Sequence, residues 1–528
     1  MRSCSGARRA NAPAALLALA FMLSLAGCSS GFDQDRGDAR RGGSILVGLT
    51  DRPDSLDPAT ATSPEALQAL WLAYTPPMTY RHAPGANGTT IVPALADAAP
   101  KSVDGDATVT FRFRKGLRYS DGRSLLASDF ERAWERALVL NPVVRRQLAG
   151  VKGATDYASA PDPRKGITGV SVDERTRTVR IELLAPDPGF SRLLTELWSA
   201  PVPSGTETVD RSSSPPAGIG PYSLAAPPRG RAYVLTRRKG FALSGVPAGN
   251  VDAITGTVES GMERRTAATL AGRLDATQGE PPTAQLPRIR SEEKARYREF
   301  QTLSARYLEF DLARRPFSDG DLRQAVSYAL DLRTLTRLDA GFLEPTCNLI
   351  PPQVPGYVRL DPCPYGDREG NPDLLRAEQL VTKSPARRAR VIVDGGQGPR
   401  ANVLARYGVD TLVKIGMRAR LARTARDLRR AQLRFAATTP ADPAPAPYFD
   451  PIEDSGVRSE AGALERGGTL ASTADRWAGL DRTVVAGSIV APYGVATTGV
   501  LLSDRLDAAN CLRFSPVYGL DLSSLCLK

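Results

Sequence analysis

The sequence of 528 residues contains a single histidine, His82, and six cysteines, none of them in a Cys-x-x-Cys pair. That scarcity argues against a histidine-based triad and against zinc, whose usual ligand spacings are absent. His82 stands beside Pro84 and Gly85 and reads as a surface turn residue. Past residue 27 no apolar run is long enough to span a bilayer, and no solenoid-type period appears. Lysine is scarce relative to arginine, and arginine is spread along the chain, so the net charge of +12 reads as compositional bias and nucleic acid is not expected. Two catalytic look-alikes fail on context. Ser291-Glu292-Glu293-Lys294 fits S-x-x-K but lies in a charged, helix-like run without partner motifs. Asp394 to Arg400, "DGGQGPR", lacks the third glycine and the lysine of a phosphate loop. No catalytic residue, metal or cofactor is expected.

What is present begins at the N-terminus. Arg2, Arg8 and Arg9 precede an apolar stretch from Ala14 to Leu25, the pattern of a secretory signal. Leu25-Ala26-Gly27-Cys28 resembles a bacterial lipobox, which implies cleavage before Cys28 and acylation of its thiol. Gly27 to Gly31 also fits G-x-S-x-G, but that elbow needs a strand before it and a helix after it. Gly31 to Gly43 reads instead as a tether. Two or more acyl chains, at ~0.8 kcal/mol per buried methylene, make such an anchor stable. A signal peptide is therefore expected over 1–27 and a tether over 28–43, with the body outside the cytoplasm on a membrane.

Four cysteines remain for that body: Cys347, Cys363, Cys511 and Cys526. They allow three pairings. The close pairs 347–363 and 511–526 each enclose a short turn-rich segment and are favoured; such loops contribute ~3 kcal/mol in the chain-entropy model. Four free thiols are the alternative.

Strand and helix signals alternate along the chain. Ser44 to Thr50 reads as a buried strand, and a helix begins near Pro64. Thr108 to Leu117 alternates, with Val109, Phe111 and Phe113 on one face. Ser128 and Glu131 form a capping box before the helical stripe Phe130, Ala133, Trp134, Ala137 and Leu138. Thr178 to Leu184 is another strand, and "AGIGPYSL" is a turn in which glycine permits positive φ. Leu322, Ala325, Val326, Ala329 and Leu330 make a further helical stripe. Between 384 and 490 the pattern is harder to read: "RARLARTARDLRRAQLR" is rich in arginine and "PADPAPAPYFDPIED" in proline. The mixture predicts an α/β protein of several lobes.

Six stretches in this order resemble the bacterial extracellular solute-binding proteins of family 5, the oligopeptide and dipeptide receptors of ABC importers. They are "LTDRPDSLDPATAT", the segment from Val92 to Leu138 with "KGLRYSDG" and "LLASDF", "GIGPYSL", "ARYLEFDLARRPFSDGDLRQAVSYALD", "LIPPQVPGY" and the closing "RFSPVYGLDLSSLCLK". The resemblance implies a two-lobed type II periplasmic-binding-protein fold. Its first lobe would run over 44–265, with a sub-domain inserted at about 63–186. The second would span 266–489, and 490–528 would return to the first. Hinge closure would bury a ligand between the lobes. Partners implied are a peptide or similar small solute, an ABC permease complex and the membrane; the chain is expected to be a monomer. A non-transport envelope lipoprotein on the same fold is the alternative.

Relatives place an aspartate for the peptide amine in an "ADY.DP"-like stretch. Ala441-Asp442-Pro443 is the nearest match, which makes Asp442 the implied ligand residue. Ala61, Thr62 and Ser63 follow "SLDPAT", where relatives line the cleft with backbone and small polar groups. This chain departs from the pattern at Thr438-Thr439-Pro440, where relatives carry tryptophan. It departs again at Lys239-Gly240-Phe241-Ala242, where they carry Asn-Pro and Tyr-Trp.

Overall fold

The computed structural model describes residues 41–528 apart from 368 and 369. The expected signal peptide, Cys28 and most of the tether lie outside the described residues. Two strands longer than the rest, Tyr297–Phe310 and Val490–Leu502, run antiparallel through the middle of an 11-stranded sheet. Each gives one end to a different flank. Ala305 to Phe310 pairs with Leu433–Thr438, which continues into the parallel strands Arg390–Asp394 and Arg418–Leu421. At the other end, Val500 to Leu502 pairs with Ala276–Gln278, followed by Ser44–Leu49, Ala253–Val258, Tyr233–Arg237 and Tyr222–Ala225.

Between the flanks the ladder slips. Gln301 faces Thr497 while Ala305 faces Val495, so residues 302–304 bulge out of register. Bulges bend a strand and re-aim its side chains.

A separate four-stranded antiparallel sheet comprises Lys101–Val103, Thr108–Arg112, Thr178–Glu182 and Val170–Asp173. Val109, Phe111, Val179 and Ile181 are buried and pack with Phe130, Trp134 and Ala137 of the helix Ser128–Leu140. The predicted strand from Thr108 to Leu117 stops at Arg112, before a turn in which Gly116 takes φ +76°.

Three local expectations are corrected. The Ser128–Glu131 capping box does not form: the Glu174 carboxylate accepts from the Ala127 and Ser128 amides at 2.8 Å each, and Glu131 Oε1 accepts from Ile167 N at 3.0 Å. A distant carboxylate satisfies the same orphan donors. Gly218 and Gly220 do not use positive φ. They are glycine because a Cβ would meet the carbonyl oxygens of Ala73 and Leu72 at 2.3 Å, where the turn crosses the end of the helix Pro64–Ala73. His82 is no surface residue, as described below.

The segment 384–490 forms regular structure. The strand Arg390–Asp394, the helix Ala401–Lys414 and the strand Arg418–Leu421 make a parallel unit, with Val391, Val393 and Leu412 buried. The helices Ser455–Arg466 and Leu470–Ala486 are capped by Asp454, accepting from Val457 N at 2.9 Å, and by Thr469, accepting from Ser472 N at 3.2 Å. Among the described residues two disulfides are present, Cys347–Cys363 and Cys511–Cys526.

Candidate functional site

A cavity of about 430 Å³ opens where the two long strands pass between the flanks. Volumes of this order suit small ligands. One wall comprises the end of the strand Ser44–Leu49, Thr50, Thr62, the start of the helix Pro64–Ala73 and the C-terminal segment from Phe514 to Leu520. The facing wall comprises Thr302 and Leu303 of the bulge with Thr439, Pro440 and Ala441.

The first wall is fastened at several points. Asp54 Oδ2 accepts from Thr62 N at 2.8 Å and Oγ1 at 2.6 Å, while Oδ1 accepts from Ser63 N at 3.1 Å and Oγ at 2.8 Å. Burial acts to raise the Asp54 carboxyl, but these hydroxyl and amide donors outweigh it and hold it below the usual carboxylate value. Ser63 caps the helix, accepting from Ala66 N at 3.3 Å, with Pro64 pre-set for the first turn. Beneath this loop Asp57 and Arg136, both at 0 % exposure, form a bidentate pair at 2.5 and 3.1 Å. The Ala59 and Arg211 amides donate to the same carboxylate, so the buried charge is met on every side.

The C-terminal segment is held as firmly. Gln68 Nε2 donates to Leu520 O at 2.9 Å, and Leu520 N donates to Gln278 Oε1 at 2.8 Å. Gly519 sits at φ +76°, where a Cβ would lie 2.6 Å from Gln278 Oε1. The His82 ring stacks on Trp71 with 3.8 Å between centroids and 3° between planes, and its Nδ1 lies 2.8 Å from Asp521 Oδ2. Its side chain is only 5 % exposed. Burial pushes the Asp521 carboxyl up, yet His82, Ser523 and Arg513 prevail and leave it below its ordinary value.

The second wall has fewer fastenings. Thr439 Oγ1 donates to Ser304 Oγ at 2.8 Å, Tyr448 OH to Leu303 O at 2.7 Å, and Thr302 Oγ1 to Ala496 O at 2.9 Å.

Of the residues expected to bind ligand, Thr62 lines the cavity. Ser63 is engaged as the helix cap, and Ala61 is buried beside it, its N–H donating to Asp57 O at 3.0 Å. Asp442 follows the lining residue Ala441, and its Oδ2 lies 3.4 Å from Arg192 Nη1; Arg192 Nη2 lies 3.4 Å from Glu465. The sequence reading missed Glu196, Tyr80, Gln278 and the 514–520 segment, all of which line the cavity. Glu196 carries a legible signal, a carboxylate inside the apolar run Leu193-Leu194-Thr195-Glu196-Leu197-Trp198. Among the described residues no group of three or more His, Cys, Asp or Glu side chains could hold a metal ion. No described helix is long and apolar enough to cross a membrane. Ser291, of the S-x-x-K look-alike, donates its hydroxyl to Pro287 O and Arg288 O on the exposed side of the helix Leu286–Glu292.

Residues 90–457, well over half of the chain, match the family model "Bacterial extracellular solute-binding proteins, family 5 Middle". The chain belongs to that family. It is 24% identical over 340 residues to the glutathione-binding protein GsiB of Salmonella typhimurium, a match covering 62% of this chain and 60% of that protein. The chain thus spans under two thirds of the curated relative's length. Among solved structures it is similar to the clavulanic acid biosynthesis oligopeptide binding protein 2, with TM-score 0.78, 22% identity and coverage of 93% and 96% of the two chains. It is also similar to the MppA periplasmic murein tripeptide binding protein in its unliganded open form, with TM-score 0.76, 18% identity and coverage of 92% and 97%. These likenesses establish the type II periplasmic-binding-protein fold of the family.

Proposed function

We propose that this member of family 5 is a lipid-anchored, extracytoplasmic receptor that captures peptides and delivers them to an ABC permease. The observation that carries the reading is the cavity itself, placed where two long strands pass from one flank of the sheet to the other beside a bulge in their register. In this reading the flanks are two lobes, 44–265 with the return 490–528, and 266–489. Residues 302–304 lie at their junction, and closure buries the ligand. Cys28 carries the lipid, and the receptor works as a monomer without cleaving its ligand. Peptide capture is supported by the oligopeptide- and tripeptide-binding proteins of the same fold. Asp442 fits a peptide ammonium because its present partner, Arg192, stands at a long 3.4 Å and is shared with Glu465. An incoming ammonium exchanges that contact for a shorter charge-assisted one.

Thermal unfolding in the presence of a peptide pool tests this. A ligand of the folded state adds RT ln(1 + [L]/Kd), about 2.7 kcal/mol at a hundredfold excess over Kd, and raises Tm saturably. Unchanged Tm across a broad peptide panel overturns the peptide reading. Loss of the shift in Asp442→Asn assigns the ammonium contact; an unaltered shift removes it.

A further inference from the structure

The charged side chains that line the cavity are of one sign. Glu65 and Glu196 face it, and among the described residues no lysine or arginine does. The two carboxylates differ in their surroundings. Glu65 has the buried Arg265 nearby, whose charge it and Asp51 share. The Glu196 carboxylate has no hydrogen-bond or ion-pair partner among the described residues, and the residue lies between two short 3₁₀ turns, Phe190–Thr195 and Leu197–Ser199. The flanking Thr195, Leu197 and Ser199 are buried, and Trp198 packs on Trp134 with 5.9 Å between centroids. Glu196 is therefore presented to the cavity from a rigid seat.

Resting on the peptide reading above, we infer that Glu196 is the specificity-determining residue of this cleft, and that the cleft selects ligands carrying a protonated amine or guanidinium while rejecting anionic ones. A desolvated carboxylate without a partner is costly, and an arriving cation removes that cost. An anionic ligand instead adds a like charge beside Glu65 and Glu196 with no cationic lining to receive it. The same physics makes recognition pH-dependent. Burial first, and Asp442 second, push the Glu196 carboxyl up to about 7 against the opposing pull of Arg192. Tyr80 and Tyr518 line the cavity as well, and both hydroxyls are pushed above the ordinary tyrosine value, Tyr80 by burial, then Asp442 and Glu196, and Tyr518 by burial, then Glu196. A cation binds the ionised form, so affinity for cationic ligands rises as pH climbs through 7, with proton release on binding below that pH.

The test titrates the purified chain by calorimetry with Ala-Lys-Ala, Ala-Ala-Ala, Ala-Glu-Ala and N-acetyl-Ala-Lys-Ala at pH 6 and pH 8. Ala-Lys-Ala is expected to bind about tenfold or more tighter than Ala-Glu-Ala at pH 8, the scale of one charge-assisted hydrogen bond. Glu196→Gln, which keeps size and polarity, is expected to erase both that preference and its rise from pH 6 to pH 8. N-acetyl-Ala-Lys-Ala, whose lysine is its one cationic group, is expected to bind the unmodified chain more tightly than Glu196→Gln, and equal binding to the two overturns the assignment of the side-chain cation to Glu196. Peptide binding with no charge preference, or a preference that survives Glu196→Gln, overturns this inference alone. Absence of binding by every peptide overturns the peptide reading and this inference with it.

Discussion

The two walls of the cavity are built differently. The wall formed by residues 54–68 and 514–520 rests on a buried bidentate ion pair, a carboxylate with four donors, a stacked His–Trp pair and a disulfide. The wall formed by 302–303 and 439–441 has no buried ion pair or disulfide among its described supports and rests on three hydroxyl donors, the Ser304 amide on Thr302 Oγ1 and the burial of Leu303. A binding wall that must keep its shape is over-determined, whereas one that must move relative to it is held lightly at its junction. The comparison can be broken experimentally, because each wall has its own support to remove.

The largest effect is expected from Asp57→Ala, which leaves Arg136 buried and unpaired. Urea unfolding should show a loss of about 3–5 kcal/mol. A loss below 1 kcal/mol would mean that the first wall is held otherwise. Replacing Cys511 and Cys526 by serine, which opens a loop of sequence separation 15, should cost about 2–4 kcal/mol and weaken ligand binding. The same replacement at Cys347 and Cys363 should lower stability with affinity kept, since the loop they close holds no residue of the cavity lining, whereas the 511–526 loop holds Phe514 and Pro516 to Leu520. Gly220→Ala places a methyl group against the Leu72 carbonyl and should cost about 1–3 kcal/mol. Tyr448→Phe removes the hydroxyl that holds Leu303 and should cost only about 0.5–1.5 kcal/mol, yet lower peptide affinity measurably in the same sample. The smallest effect is electrostatic. Asp521 has a folded value below its unfolded one, so its contribution is present above about pH 4 and is lost as pH falls through the folded value. Asp521→Asn should flatten that part of a stability–pH curve.

Legibility in the sequence followed the range of the interactions. The sub-sheet was readable because Val109, Phe111, Val179 and Ile181 alternate with polar residues on antiparallel strands. The start of the helix at Pro64 was readable, while Ser63, expected to line the cleft, caps that helix. The unit around Arg390–Asp394 and Arg418–Leu421 was not, because its strands are only five and four residues long and the one at the sheet edge, Arg418–Leu421, buries none of its residues and carries two arginines. His82 was misread because its partner Asp521 stands 439 residues away. Gly218 and Gly220 were misread because what they accommodate is a helix end far upstream. Thr62 was placed at the cavity by the family resemblance, while Glu196 gave only the local hint of a carboxylate in an apolar run.

Capture by closure of two lobes is tested most directly by the distance between fluorophores at Leu184 and Leu375, both 69% exposed and assigned to opposite lobes. Saturating peptide is expected to shorten that distance, and to do so less when Tyr448→Phe loosens the junction. A peptide that binds and raises Tm while the distance stays constant would contradict closure.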